Sequence, residues 1–270
     1  MKISALILTN NEEEMIDDCL AQLDFVDEII ILDQNSQDKT LEISKQYTTH
    51  VLKTQEEAFD KNRNTLSKMA KGDWLLYIDA DERLTQSLIS EIRAAVKQDR
   101  YSAYLGPHPA RRGRTAECSA FYFPRKNIIF GKWLRHGGWW PDYVPRLIRR
   151  SQLIGWEGKI HESPKFHGQF ANFKSPLIHL TGRNLSQMLK KSIKWAKIEA
   201  ELYDNANFPK VSILKVTKAL FSEFFRRYLI KRGFLDSQVG LIESIYQAFH
   251  QAIVLVYLWE LQNNAQKKIK

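Results

Sequence analysis

The sequence predicts an α/β sandwich with a mostly parallel sheet and a helical C-terminal appendage. Short apolar runs alternate with helix-length segments over the first hundred residues, two of those runs end in carboxylates, and after Gly182 the pattern becomes helical only. Ile3 to Leu8 reads as a buried strand and Glu12 to Leu23 as a helix after an Asn-rich turn. Glu28 to Asp33 reads as a second strand, the turn from Gln34 to Asp38 follows, and Lys39 to Tyr47 reads as a helix. Val51-Leu52 marks a short third strand, Asp60 to Ala70 a helix ended by Gly72, and Trp74 to Ile78 a fourth strand. Strands separated by helices of this length pair in parallel through right-handed crossovers, which gives three layers.

The 270 residues, 44% hydrophobic, suit one large α/β domain plus an appendage. The expected division is residues 1–182 as the catalytic domain, with a nucleotide-binding half (1–100) and an acceptor half (101–182), and residues 183–270 as a basic helical region. Cys19 and Cys118 lack a second thiol or histidine at metal-ligand spacing, so neither a disulfide framework nor a zinc site is expected. The first apolar run is short and leads directly into Asn10-Asn11-Glu12, so no signal peptide is read there, and a cytoplasmic location is expected. The net charge of +9 is unevenly placed: residues 183–270 hold 15 Lys and Arg against 7 Asp and Glu.

Asp73 to Glu82, Asp-Trp-Leu-Leu-Tyr-Ile-Asp-Ala-Asp-Glu, carries the chemistry. An apolar run of strand length that stops in acids places them at the carboxyl edge of the sheet, where open α/β sheets bind ligands. Asp79 and Asp81, separated by the small Ala80, suit Mg²⁺ or Mn²⁺, which takes a few carboxylate oxygens plus substrate phosphates. A bare Asp-x-Asp is more often a solvated turn, so context decides. No Gly-x-Gly-x-x-Gly follows the first strand and no phosphate-binding loop is present. The edge decorated by Thr9, Asp33, Asp79 and Asp81 suits a nucleotide bound with a metal.

Ile-Leu-Thr-Asn-Asn-Glu-Glu (7–13), Ile-Leu-Asp-Gln-Asn-Ser-Gln-Asp-Lys-Thr (31–40), Lys-Asn-Arg-Asn (61–64) and the stretch 72–82 resemble the family 2 glycosyltransferases of GT-A fold. Arg-His-Gly-Gly-Trp-Trp-Pro-Asp-Tyr (135–143), Arg-Leu-Ile-Arg-Arg (146–150) and Gly-Lys-Ile-His-Glu (158–162) resemble the branch of lipopolysaccharide core glucosyltransferases, over nearly the whole chain. Gln34, where the family more often has a small residue, and Trp140, in place of a commoner Tyr, depart from the pattern.

The resemblance implies that Thr9, Glu13 and Asp33 line a nucleoside pocket and that Arg63 lies close to the diphosphate. It implies that Asp79 contacts ribose or metal, Asp81 the metal, and the late His179 the metal or diphosphate. Asp33 alone reads equally as the cap of the turn that follows it. Gly137-Gly138 would let backbone approach the donor sugar closely, and Trp133, Trp139 and Trp140 either stack on sugars or pack under their loop. Loops are expected at Gly106-Pro107, Arg111 to Arg114 and Gly131 to Tyr143, with a strand from Ala120 to Pro124.

An inverting transfer needs one carboxylate base. Glu162, after His161, resembles the family's base position and is favoured; Asp142 competes, and otherwise orients acceptor hydroxyls or pairs with Arg146 or Arg149. Helices are expected at Asn184 to Tyr203, Lys210 to Lys231 and Gln238 to Trp259. In the second, Leu214, Phe221, Phe225 and Tyr228 share one face while Lys215, Lys218, Ser222 and Arg226 line another. The third has an uncharged stretch of only 16 residues, Ser244 to Trp259, short of the roughly 20 that span a bilayer.

The expectation is a metal-dependent inverting enzyme that moves a hexose, glucose from UDP-glucose, to a lipid-linked saccharide. It would work as a peripheral protein on the anionic inner membrane, without nucleic acid as a partner. The rivals are a nucleotidyltransferase on the same sandwich and a nucleic-acid-binding module on the basic tail.

Overall fold

The computed structural model describes residues 1–97, 118–158 and 162–267. The expected loops at Gly106-Pro107 and Arg111 to Arg114, the boundary between the two expected halves, and His161 lie outside the described residues. The chain divides into two compact units, Met1–Lys126 with Asp142–His179, and Asn127–Pro141 with Leu180–Lys270. The tryptophan-rich segment, read from the sequence as part of the acceptor half, belongs to the second unit.

The first unit opens with β1 (Ile3–Thr9), α1 (Ile16–Ala21), β2 (Glu28–Asp33), α2 (Thr40–Tyr47), β3 (Val51–Lys53), α3 (Phe59–Met69) and β4 (Trp74–Asp79). The alternation expected from the sequence is present, and β3, β2, β1 and β4 lie side by side in parallel. Helix α1 starts later than the sequence suggests, because Asn11 takes a left-handed φ of 54° and the Glu12 carbonyl accepts from the Met15 and Ile16 amides in a turn. Gly72 does more than end α3: a Cβ there would lie 2.6 Å from the Ser4 amide nitrogen, so the close passage onto β4 excludes a side chain.

Beyond β4 the unit continues with β5 (Glu82–Leu84), α4 (Gln86–Lys97) and β6 (Cys118–Ile129), the last crossing into the second unit. The pair of residues β7 (Lys132–Trp133) folds back on the end of β6 there. The first unit resumes with β8 (Asp142–Arg149), β9 (Leu153–Glu157), β10 (Ser163–Phe166), β11 (Gln169–Asn172) and β12 (Leu177–His179). In the sheet order β3-β2-β1-β4-β8-β6-β12-β5, β8 runs antiparallel to β4 and to β6, and β12 antiparallel to β5. This is a GT-A-like sheet with a parallel half and an antiparallel half. Its core holds both faces of β4: Trp74, Leu76 and Ile78 pack with Phe121, Phe123 and Phe173, while Leu75 and Tyr77 pack with Leu66 and Trp156.

The second unit is helical, with α5 (Leu185–Asn205), α6 (Ile213–Phe225) and α7 (Ser237–Lys267). The Asn184 and Ser212 side chains accept from the Gln187 and Lys215 amides and cap α5 and α6. Ala200, Val211, Leu255 and Leu258 form its core with Tyr203, Val216 and Ala219 packed around them. Helix α6 ends in a π turn, Arg226–Ile230, and Tyr228 stacks inward on Phe224 rather than joining Leu214 and Phe221 on the outer face. Helix α7 is 31 residues long, and the span Gly233–Asn264 is long and apolar enough to cross a membrane by length and composition.

Candidate active site

Strand register builds the site. Thr9 lies opposite Asp33, and Leu8 opposite Asp79, so the ends of β1, β2 and β4 meet at one edge where strand order reverses about β1. Asp33 is fully buried and accepts from the Thr9 hydroxyl at 2.8 Å, the Ser36 amide at 2.8 Å and the Ser36 hydroxyl at 2.6 Å. It caps the turn after β2 and fixes Thr9 beside it. Glu13 accepts from the Lys39 amide at 3.0 Å and ties the first turn to the start of α2.

Helix α3 carries Lys61-Asn62-Arg63-Asn64, and each of its last three residues has a distinct duty. Asn62 donates to the Glu56 carbonyl at 2.7 Å. Asn64 both donates to the Trp156 carbonyl at 2.9 Å and accepts from the Trp156 amide at 2.8 Å, which pins β9 to the helix. Arg63 is thereby framed by Trp156 and Tyr77, its guanidinium carbon 4.8 Å and 5.6 Å from the two ring centres. Its Nε donates to Glu162 Oε1 at 2.9 Å and its Nη2 to Asp79 Oδ1 at 3.2 Å.

Arg146 of β8 completes a chain of charges that the sequence reading did not assign. Its Nη2 donates both to Asp79 Oδ2 and to Glu82 Oε1, and the other Glu82 oxygen accepts from the Asp79 amide at 3.0 Å. Two carboxylates therefore share Arg146, and both Arg146 and Glu82 are buried. Burial alone would raise both acids; for Asp79 the Arg146 and Arg63 guanidiniums outweigh it and hold the carboxyl well below its usual range. For Glu82 burial prevails, reinforced by the charge on Asp79, and the carboxyl is pushed up.

Antiparallel pairing of β12 with β5 sets His179 opposite Glu82, and His179 Nε2 lies 3.3 Å from Asp81 Oδ2. A carboxylate oxygen at the strand edge is a donor of the kind Mn²⁺ or Mg²⁺ accepts, and the imidazole nitrogen beside it suits a softer transition-metal ion better than Mg²⁺. No cluster of three His, Cys, Asp or Glu side chains that could hold a metal occurs among the described residues. Asp81 and His179 would supply two ligands, and an ion held there would complete its shell from substrate phosphate and water. Asp79 is committed to two arginines.

Asp142, the rival base, pairs with Arg125 at 2.8 Å. The sequence pointed to Arg146 or Arg149, but β6–β8 register sets Asp142 directly opposite Arg125. Gly137 and Gly138 adopt left-handed φ of 66° and 91° in the second unit, where the Gly137 amide donates to the Lys231 carbonyl at 2.8 Å. A Cβ on Gly138 would come within 2.6 Å of Lys231 Nζ, so the close approach the glycines permit in this unit is to Lys231. Trp133 packs edge-on to Trp140 at 5.4 Å, with the Arg135 guanidinium 4.2 Å above Trp133. Cys19 and Cys118 are buried free thiols, and burial pushes Cys19 up to about 12.

The profile of the family described as Glycosyl transferase family 2 matches residues 4–154. An uncharacterized glycosyltransferase of Rickettsia bellii is 27% identical over 272 residues, 96% of this chain and 87% of its own length. Its counterpart in Rickettsia felis is 26% identical over 96% of this chain and 90% of its own length. Among solved structures, that of S. aureus TarS aligns with a TM-score of 0.46 at 15% identity, covering 92% of this chain and 55% of TarS.

Proposed function

This chain belongs to glycosyl transferase family 2, and from that premise we propose that it is an inverting, metal-dependent hexosyltransferase that takes glucose from UDP-glucose. The acceptor in this reading is a lipid-linked saccharide such as the lipopolysaccharide inner core, met at an anionic membrane surface by the basic helical region. The observation that carries the reading is the line of groups at the carboxyl edge: Glu162, Arg63 and Asp79 in sequence, with Asp81 and His179 3.3 Å apart.

Thr9, Glu13 and Asp33 shape the nucleoside end of this edge, with Asp33 acting through the turn it caps. Arg63, framed by two aromatic rings, meets the diphosphate as a fixed cation. Asp81 and His179 would hold the divalent ion, which supplies positive charge against the leaving diphosphate. Asp79 holds Arg63 and Arg146 in place. The acceptor oxygen attacks the anomeric carbon as the bond to the diphosphate oxygen breaks, its electron pair leaves with the nucleoside diphosphate, and the hydroxyl proton passes to Glu162. Because Arg63 holds Oε1 of Glu162, Oε2 is the atom that receives the proton. Asp142, braced by Arg125, orients acceptor hydroxyls.

A thermal-shift panel of nucleotide sugars with and without Mn²⁺ tests this. A ligand that binds only the native state raises its stability, by about 2.7 kcal/mol at a hundredfold excess over Kd. UDP-glucose with Mn²⁺ is expected to give the largest rise; no rise with any nucleotide sugar would remove the proposal.

A further inference from the structure

Helices α6 and α7 pack on one another, yet each leaves an apolar stripe facing outward. On α7, Ile242, Ile245, Phe249, Val256 and Trp259 recur at intervals of three, four or seven residues and are each between 45% and 52% exposed. The opposite side of α7, with Ala248, Leu255 and Leu258, is buried in the unit's core. The helix is therefore apolar on both sides, one of them bare. On α6 the outward positions Leu214, Phe221 and Phe225 are flanked by Lys215 and Lys218. Large apolar side chains bordered by lysines on one helix match the boundary between acyl chains and anionic headgroups.

Length and composition alone would let α7 cross a bilayer. Its inner face argues against that. Glu243 is buried and accepts from Gln247 at 2.7 Å, the Tyr246 hydroxyl donates to the Met188 carbonyl of α5 at 2.9 Å, and His250 lies 3.6 Å from Glu199 of α5. Crossing would strip Tyr246 and His250 from α5 and set them, with Glu243, against lipid, where unmatched polar groups are costly. We infer that α7 lies in the plane of a membrane, its outward stripe seated at the boundary of headgroups and acyl chains, and that it provides the salt-resistant part of the attachment while the α6 lysines provide the salt-sensitive part. The inference rests on the proposed membrane-bound acceptor and names the element that reaches the lipid.

The full chain is tested by flotation with vesicles of phosphatidylcholine alone and of phosphatidylcholine with phosphatidylglycerol, at low and high salt. The wild type is expected to float with both, more with the anionic vesicles at low salt. Ile245→Asp with Phe249→Asp should cut binding to neutral vesicles at least about tenfold, since two large side chains no longer enter an apolar phase. Lys215→Glu with Lys218→Glu should remove only the increment that salt also removes. Should the aspartate variant fail to fold by circular dichroism, Trp259→Phe decides instead: lipid brominated on the acyl chains should quench bound wild type more than this variant. Asn264→Cys, read against buried Cys19 and Cys118, should stay open to an impermeant maleimide added outside the vesicles.

Salt-labile binding to anionic vesicles alone, with Ile245→Asp/Phe249→Asp unchanged, would overturn the role of α7 and leave the headgroup contact standing. Equal quenching of wild type and Trp259→Phe would also overturn it. Protection of Asn264→Cys would mean that the helix crosses. A dimer that Ile245→Asp/Phe249→Asp dissociates, with no effect on flotation, would assign the stripe to a second copy of the chain. No flotation with either vesicle would overturn both this inference and the membrane-bound acceptor.

Discussion

Asp81 and Arg146 are expected to separate function from stability. In the proposed reaction Asp81→Ala takes away one of the two groups that would hold the ion, so metal-dependent UDP binding, measured by calorimetry with and without Mn²⁺, should be lost while the thermal midpoint changes little. Arg146→Met does the opposite: it strands the buried Glu82 and leaves Asp79 with Arg63 alone, and breaking such a buried arrangement costs about 3–5 kcal/mol, readable in urea unfolding. Glu162→Gln keeps the shape and the hydrogen bond from Arg63 but cannot take a proton, so the transfer rate should fall about 10²–10⁴-fold with donor affinity unchanged. Asp142→Asn should act chiefly on the apparent affinity for acceptor. An inactive Asp142→Asn beside an active Glu162→Gln would exchange the two roles.

At the scale of elements, α7 carries a titrating group inside its packed face. Burial pushes the Glu243 carboxyl up to about 7, against the hydrogen bond from Gln247 and the charge of Arg227, and its Oε2 has no hydrogen-bond partner among the described residues. An acid raised in the folded state keeps a proton that the unfolded chain releases. Stability therefore falls as pH rises from the unfolded value near 4.5 to the folded value near 7, by a few kcal/mol in all, and is flat beyond. Glu243→Gln should remove this slope, so that its melting midpoint exceeds that of the wild type most clearly above pH 7. Parallel midpoints across the range would contradict the assignment.

Strands β1, β2 and β4 were legible because a central parallel strand is buried on both faces and reads as an unbroken apolar run up to its polar turn. The antiparallel half was not: β8 interrupts its apolar residues with Pro145, Arg146 and Arg149, and β5 and β12 are three residues each. The acids of the site were visible as a strand that stops in Asp79-Ala80-Asp81-Glu82. Arg146, the cation that two of them share, was hidden because strand pairing joins positions 64 and 67 residues apart. The ionic partner of Asp142 was hidden for the same reason, Arg125 being set opposite it by register rather than by proximity in sequence.

For the whole molecule, the net charge of +9 is concentrated in the helical region, although part of it is compensated locally: Arg226 and Arg227 both pair with Glu223. Within α6, Lys215 and Lys218 have no such carboxylate partner among the described residues, which is why the proposed electrostatic contact with lipid is assigned to them. What leaves the donor separates glycosyl transfer from nucleotidyl transfer at the sheet edge. With UDP-glucose, Mn²⁺ and a lipid-linked acceptor, the products should be UDP and a glucosylated acceptor of inverted anomeric configuration, both abolished by EDTA and by Asp81→Ala. Release of pyrophosphate in place of UDP, or full turnover by Asp81→Ala in EDTA, would contradict the account.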